Sequence, residues 1–170
     1  MATTVRLMTS AEADLVIEYF SRSSHEHLET LGVDPTRLPS AEVWRQRLDR
    51  EFALPIEQRT SLLVIWLLDH DPVGFSTADK IVFGERANMH LHVTRPERRN
   101  AGIGVNCVRD SADLYFSTLQ LKYLYCEPNA FNVAPNRTLQ KAGFKYVKTH
   151  MTVPGPLNFH QAVTRWLMER

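Results

Sequence analysis

Apolar positions along the chain switch between a rhythm of two and a rhythm near 3.6, and each switch marks an element boundary. "NMHLHVT" (88–94) alternates cleanly, with Met89, Leu91 and Val93 on one face and His90, His92 and Thr94 on the other, which predicts a strand. From Gly102 the spacing lengthens. Val105, Val108, Ala112, Tyr115 and Leu119 then fall on one stripe of a helix. "SLLVIWLL" is apolar throughout most of its length and strand-sized, and the turn "DHDPVG" closes it. The next strand, "VGFSTADKIVFGERA", is expected to bulge or break near Ala78-Asp79.

The flanks fill in around these. "VRLMT" opens as a short strand, and Thr9 with Glu12 forms a capping box ahead of the helix "AEADLVIEYFSRSS". "GVDPTRLPS" reads as turn, after which Ser40 caps "AEVWRQRLDREFA", a helix with Val43, Trp44 and Leu48 near one face. "LKYLYCE" is a strand. "NVAPNRTLQKAG" is a helix with Pro135 in its first turn and Gly143 at its end. "FKYVKTHMTV" and "FHQAVTRWLM", separated by "PGPLN", form a closing antiparallel pair. The order β-α-α-β-β-β-α-β-α-β-β predicts a mixed α/β sheet in a single domain spanning residues 1–170.

Composition narrows the function classes. A formal net charge of +1 and no basic aromatic stripe argue against nucleic acid as a partner, so any phosphate chemistry must come from a local patch. No apolar run is long enough to span a bilayer, and the amino terminus lacks the pattern of a signal peptide, which predicts a cytoplasmic protein without a membrane partner. Cys107 and Cys126 are too few and too far apart for a zinc motif; no metal is expected, and both read as small buried hydrophobes.

"RRNAGIG" (98–104) carries the candidate chemistry. A strand, two glycines and a helix amino terminus bring unpaired N–H groups and the positive end of a helix dipole together, which suits an anion. A Walker loop would need Lys-Ser/Thr after its glycines. A dinucleotide fingerprint would need glycine where Cys107 stands. Neither fits.

The stretch does resemble the Arg/Gln-x-x-Gly-x-Gly/Ala turn of the GCN5-related N-acetyltransferases (GNAT), preceded here by Val93-Thr94-Arg95-Pro96. Asn132 and Lys141-Ala142-Gly143-Phe144 resemble that family's second signature. The element order is similar along nearly the whole chain, least so over residues 20 to 60. The resemblance implies a largely antiparallel sheet flanked by helices and splayed between its fourth and fifth strands, and acetyl-CoA as co-substrate. It implies that Arg98, Arg99, Asn100, Ala101, Gly102, Ile103 and Gly104 hold the pyrophosphate, with Asn132 also on the cofactor. The backbone of Leu91, His92 and Val93 would pair with the pantetheine arm. The reaction implied is direct attack of a primary amine, on a small molecule or peptide, within a ternary complex. Relatives that dimerise through terminal strands or helices extend the same expectation of a homodimer here.

Two departures concern protons. The tyrosine that many relatives place four residues before the glycine of Gly-Phe is Leu139 here, and the serine that others place eight before it is Pro135. Water, Tyr125 or Asn136 would have to serve. For the base, His90 and His92 lie beside the expected thioester, and a neutral imidazole suits an amine proton. Glu127 is a further candidate, weighed against a surface carboxylate that merely ends a strand. His25 and His27 fall in the acceptor region. Alternatives are a coenzyme A-binding sensor without turnover, and transfer of a different acyl group.

Overall fold

A computed structural model describes residues 3–95, 97 and 102–170. Its elements are β1 (Thr3–Leu7), α1 (Asp14–Arg22), α2 (His25–Leu31), α3 (Ala41–Ala53), β2 (Leu62–Leu68), β3 (Asp71–Val82), β4 (Arg86–Val93), α4 (Ile103–Leu119), β5 (Tyr123–Cys126), α5 (Val133–Ala142), β6 (Lys145–Thr152) and β7 (Gln161–Glu169). The seven strands form one sheet in the order β1-β2-β3-β4-β5-β7-β6. β4 and β5 run parallel; every other neighbouring pair is antiparallel.

The unbroken apolar run of β2 follows from helices on both faces of the sheet. Leu62, Val64, Trp66 and Leu68 enter a core shared with α4 and α5, and Leu63, Ile65 and Leu67 a second core under α1, α2 and α3. The α4 stripe is confirmed: Val108, Ala112, Tyr115 and Leu119 are fully buried, with Val105 partly so.

Polar atoms inside the first core are paired. Trp66 Nε1 donates to Ser111 Oγ at 2.8 Å, and the Ser76 and Tyr115 hydroxyls lie 2.9 Å apart. Ser111→Ala would leave the indole N–H buried without an acceptor. We expect a loss of about 1–3 kcal/mol, read as a lower urea midpoint at unchanged m-value.

The structure completes or adjusts the expectations in three places. Residues 25–31, unassigned between the "SRSS" segment and the turn, form a separate short helix, α2, because Ser24 Oγ accepts from His27 N at 3.1 Å and Gly32, at φ 74°, ends it in the left-handed region. The β2–β3 turn is shorter than "DHDPVG". Asp69 and His70 both take positive φ, the tight hairpin geometry that matches strand twist, so β3 already starts at Asp71. Pro72 cannot donate to the ladder, and the register shifts opposite it, between Trp66 and Leu67. The irregularity expected in β3 near Ala78-Asp79 is present, as a register shift between Asp79 and Val82 with Lys80 at φ 48°. Lys80 Nζ then reaches the carbonyl of Pro154 at 2.8 Å, pinning the β6–β7 loop over this bulge.

Candidate active site

β4 and β5 pair only from Arg86/Tyr123 to Met89/Cys126. Beyond that point β4 stays paired with β3 as far as Gly74↔Val93, while β5 ends and the chain turns away at Glu127. The sheet therefore opens into a splay beside His90–Val93. Thr94 N donates to Val73 O at 3.0 Å, continuing the β3–β4 register. Main-chain direction alternates along a strand, so His90 and His92 turn their peptide groups toward β3, and Leu91 and Val93 toward the splay.

Gly102 is the N-cap of α4 at φ 79°, and among the described residues nothing lies within 4 Å of where its Cβ would project. Among those residues, a side chain at Gly104 would touch only the Thr138 side chain of α5, at 3.6 Å. The amino end of α4 thus carries two glycines with bare backbone, on the segment that follows β4. Arg98, Arg99, Asn100 and Ala101 lie outside the described residues. Asn132 occupies the N-cap position of α5, yet its side chain makes no capping bond and lines the cavity instead.

That cavity, of about 610 Å³, runs from the splay to the inner sides of α1 and α3. Such a volume is typical for small-ligand sites. Its roof is tied across the molecule: Asp34 N donates to Leu157 O, and the side-chain amides of Asn158 and Gln161 both donate to Gly32 O.

Strand alternation puts both histidines on the cavity side, but in different surroundings. His90 sits opposite Thr77, and the diagonal neighbour on β3 is Asp79, whose Oδ2 lies 3.0 Å from His90 Nε2. The pair is at ion-pair distance without hydrogen-bond alignment, and Asp79 Oδ1 is sealed with no partner. Burial alone would lower the His90 pKa. The Asp79 carboxylate, helped by Glu127 and opposed by Lys80, nevertheless raises it above 6.5. Gly155 packs over the pair, with the site of its absent Cβ 3.8 Å from both His90 Cε1 and Asp79 Oδ2.

His92 is wedged among aromatic rings, with Phe75 at 4.9 Å, Phe20 at 5.1 Å and Tyr19 at 5.2 Å between centroids. Burial first, then the nearby charges of His90 and His27, push its pKa down to about 3. Its Nδ1 is sealed without a partner. It is a neutral ring at any physiological pH.

Glu127 is not a surface carboxylate. Its side chain is 6% exposed and stands 3.5 Å from Arg165 Nη1 and 3.7 Å from His150 Nε2. Sequence could not show this, since both partners arrive from the closing hairpin. Of the substitute proton donors, Asn136 is fully engaged: it donates to Asn129 O and Asn132 O and accepts from Trp166 Nε1. The Tyr125 ring is covered by the Arg165 guanidinium at 4.1 Å. Neither lines the cavity, whereas Pro135 does, and Leu139 is buried in the core.

His27 Nε2 meets Tyr19 OH at 2.8 Å, and His25 is exposed. Both thiols are buried, and burial raises their pKa values, Cys107 to about 11. Among the described residues, no group of three metal-ligating side chains could hold an ion, and no helix is long and apolar enough to cross a membrane.

A seven-stranded sheet splayed between β4 and β5, with a cavity of about 610 Å³ running from the splay to α1 and α3, is the architecture of an acyltransferase scaffold. The acetyltransferase (GNAT) domain model matches residues 3–145, and the chain belongs to that family. It is an acetyl-CoA-dependent N-acetyltransferase. It is 27% identical to the aminoglycoside N(6')-acetyltransferase type 1 of Klebsiella pneumoniae over 98% of this chain and 85% of that protein. Its fold is similar to the aminoglycoside acetyltransferase AAC(6')-Ib solved with ribostamycin and coenzyme A, at 20% identity and TM-score 0.75, covering 100% of this chain and 94% of that one. It is also similar to the ribosomal-protein-S5-alanine acetyltransferase of Vibrio fischeri, at 19% identity and TM-score 0.77, covering 99% and 93%.

Proposed function

We propose that residues 1–170 work as one N-acetyltransferase domain acting on a small primary amine, with His90, oriented by Asp79, as the general base. The observation that carries this is the His90–Asp79 pair, set on the chamber wall beside the open edge of β4.

Acetyl-CoA would enter the splay with its pyrophosphate over the amino end of α4, at Gly102, Ile103 and Gly104. Arg98, Arg99, Asn100 and Ala101 complete that turn in the sequence, and Asn132 faces the cofactor from α5. Leu91 and Val93 turn their peptide groups toward the pantetheine arm, so a thioester oxygen placed there has a β4 N–H as its oxyanion donor. Acceptor ammonium loses its proton to His90. The freed nitrogen attacks the thioester carbonyl carbon, and the tetrahedral intermediate collapses with loss of thiolate. A thiolate with a pKa of about 8.5 leaves readily near neutrality and takes its proton from water, so Leu139 and Pro135 are no obstacle. His92 stays neutral and supports β4 against the aromatic wall rather than moving protons.

The resemblance to aminoglycoside acetyltransferases favours an aminoglycoside as a second, narrower reading of the acceptor. A screen of amines across chemical classes, followed by thiol release, tests the activity. Amine-dependent release with an acid limb above pH 6.5 is expected. Tight coenzyme A binding with no transfer to any amine would leave only a sensor.

A further inference from the structure

The chamber is not uniform in charge. Its more buried inner wall carries Asp79 and Glu127, and its exposed outer wall Arg37, Arg47 and Arg50 against a single carboxylate among the described residues, Glu51. We infer that the acceptor is amphoteric: an amine bearing a carboxylate or phosphate at its far end, gripped by Arg47 and Arg50 while the amine points inward to Asp79. This rests on the acetyl-transfer reading above and narrows its substrate class.

The arginines are placed for a ligand rather than for the fold. Trp44, Arg47, Leu48 and Glu51 follow one another at helical spacing along α3, so Arg47 shares the helix face turned into the chamber. On the same helix Arg45 is neutralised, reaching Asp14 at 3.1 Å and Asp49 at 2.7 Å. Arg47 and Arg50 have no such partner: among the described residues, no carboxylate lies within ion-pair distance of either. The nearest acids in sequence are occupied: Asp49 Oδ1 accepts from Arg45 Nη2 and Ser10 Oγ, and Glu51 accepts from Thr60 N, Thr60 Oγ1 and Ser61 N. Arg37 is shared with Asp34 at 3.5 Å and contributes less.

The inner end has the opposite need. Asp79 and Glu127 line it, and an ammonium is the group that their carboxylates attract. A polycation would meet attraction inside and repulsion at the mouth, whereas an amphoteric molecule finds a complement at each end. Guanidinium groups bind carboxylate and phosphate in a planar fork, so the anion would also set the reach of the amine.

The test is kinetics with matched probes in several chain lengths: ω-amino carboxylates, aminoalkyl phosphates, plain alkylamines and diamines. The anionic probes should give the highest kcat/KM. In Arg47→Gln/Arg50→Gln, the ratio of kcat/KM between anionic and plain amines should fall about tenfold, mostly through KM. Diamines or aminoglycosides outperforming every anionic probe, or a ratio unchanged by the double substitution, would overturn the inference. Calorimetry on the coenzyme A-loaded protein separates it from the catalytic reading. Anionic probes that bind, and weaken in the double variant, without thiol release would sink the transfer reaction and keep the arginine site. Transfer with no anion preference would do the reverse.

Discussion

Replacing His90 by glutamine should lower kcat by about 10²–10⁴ while leaving coenzyme A affinity nearly intact, because the substitution removes a proton acceptor from the chamber wall and nothing from the splay. Asp79→Asn gives the more telling result. With Asp79 present, the His90 pKa lies above its ordinary value, so kcat/KM should climb as pH rises through that pKa and the imidazole becomes neutral. Without the Asp79 carboxylate, burial outweighs the smaller opposing effects of Lys80 and Glu127, and the acid limb should move to lower pH. A limb set by the amine of the acceptor would stay where it was. The same linkage predicts a stability effect of fixed sign: the raised pKa stabilises the fold below about pH 6.5, and that share disappears as pH rises through the folded value. A pH–rate profile identical in both proteins would show that the pair takes no part in proton transfer.

Replacing Gly102 by valine should weaken coenzyme A binding by roughly 10²–10³, the loss of one or two charge-assisted hydrogen bonds of about 1.5–3 kcal/mol each. Among the described residues, a Cβ at this position meets no protein atom within 4 Å, and in the proposed site it would stand where the pyrophosphate lies. The residue sits at φ 79°, and valine there also strains the turn, a local cost in the range of about 1–3 kcal/mol. Calorimetry with coenzyme A and a thermal melt separate the two effects. Normal affinity in a folded Gly102→Val protein would remove the turn from the cofactor site.

Much of this was legible because the sheet is regular where it matters. The alternation of "NMHLHVT" placed His90 and His92 on one face, and that face does line the chamber. Pro135 and Gly143 fixed α5 at both ends for the backbone reasons expected of them. What the alternation could not distinguish was the two histidines. One gains Asp79 only through the β3–β4 register, and the other is enclosed by rings from α1 and β3, so identical spacing yields opposite pKa shifts. The choice between the two readings of Glu127 was illegible for the same reason: its partners, His150 and Arg165, lie on strands far along the chain. α2 is too short for periodicity to reveal it, although its boundary residues, Ser24 and Gly32, were readable signals.

The ties onto Gly32 bear on how this enzyme assembles. Asn158 and Gln161 reach that carbonyl from 126 and 129 residues further along. The cofactor side is instead a strand, a turn and a helix in direct succession. Local contacts close early in folding and distant ones late, so the half of the site proposed for acetyl-CoA would be organised before the half proposed for the acceptor. The order also separates the two halves under mutation. Changes of length or charge in the β6–β7 loop would reshape the cavity wall that Pro154, Gly155 and Leu157 form, without touching the backbone proposed to hold the acyl donor.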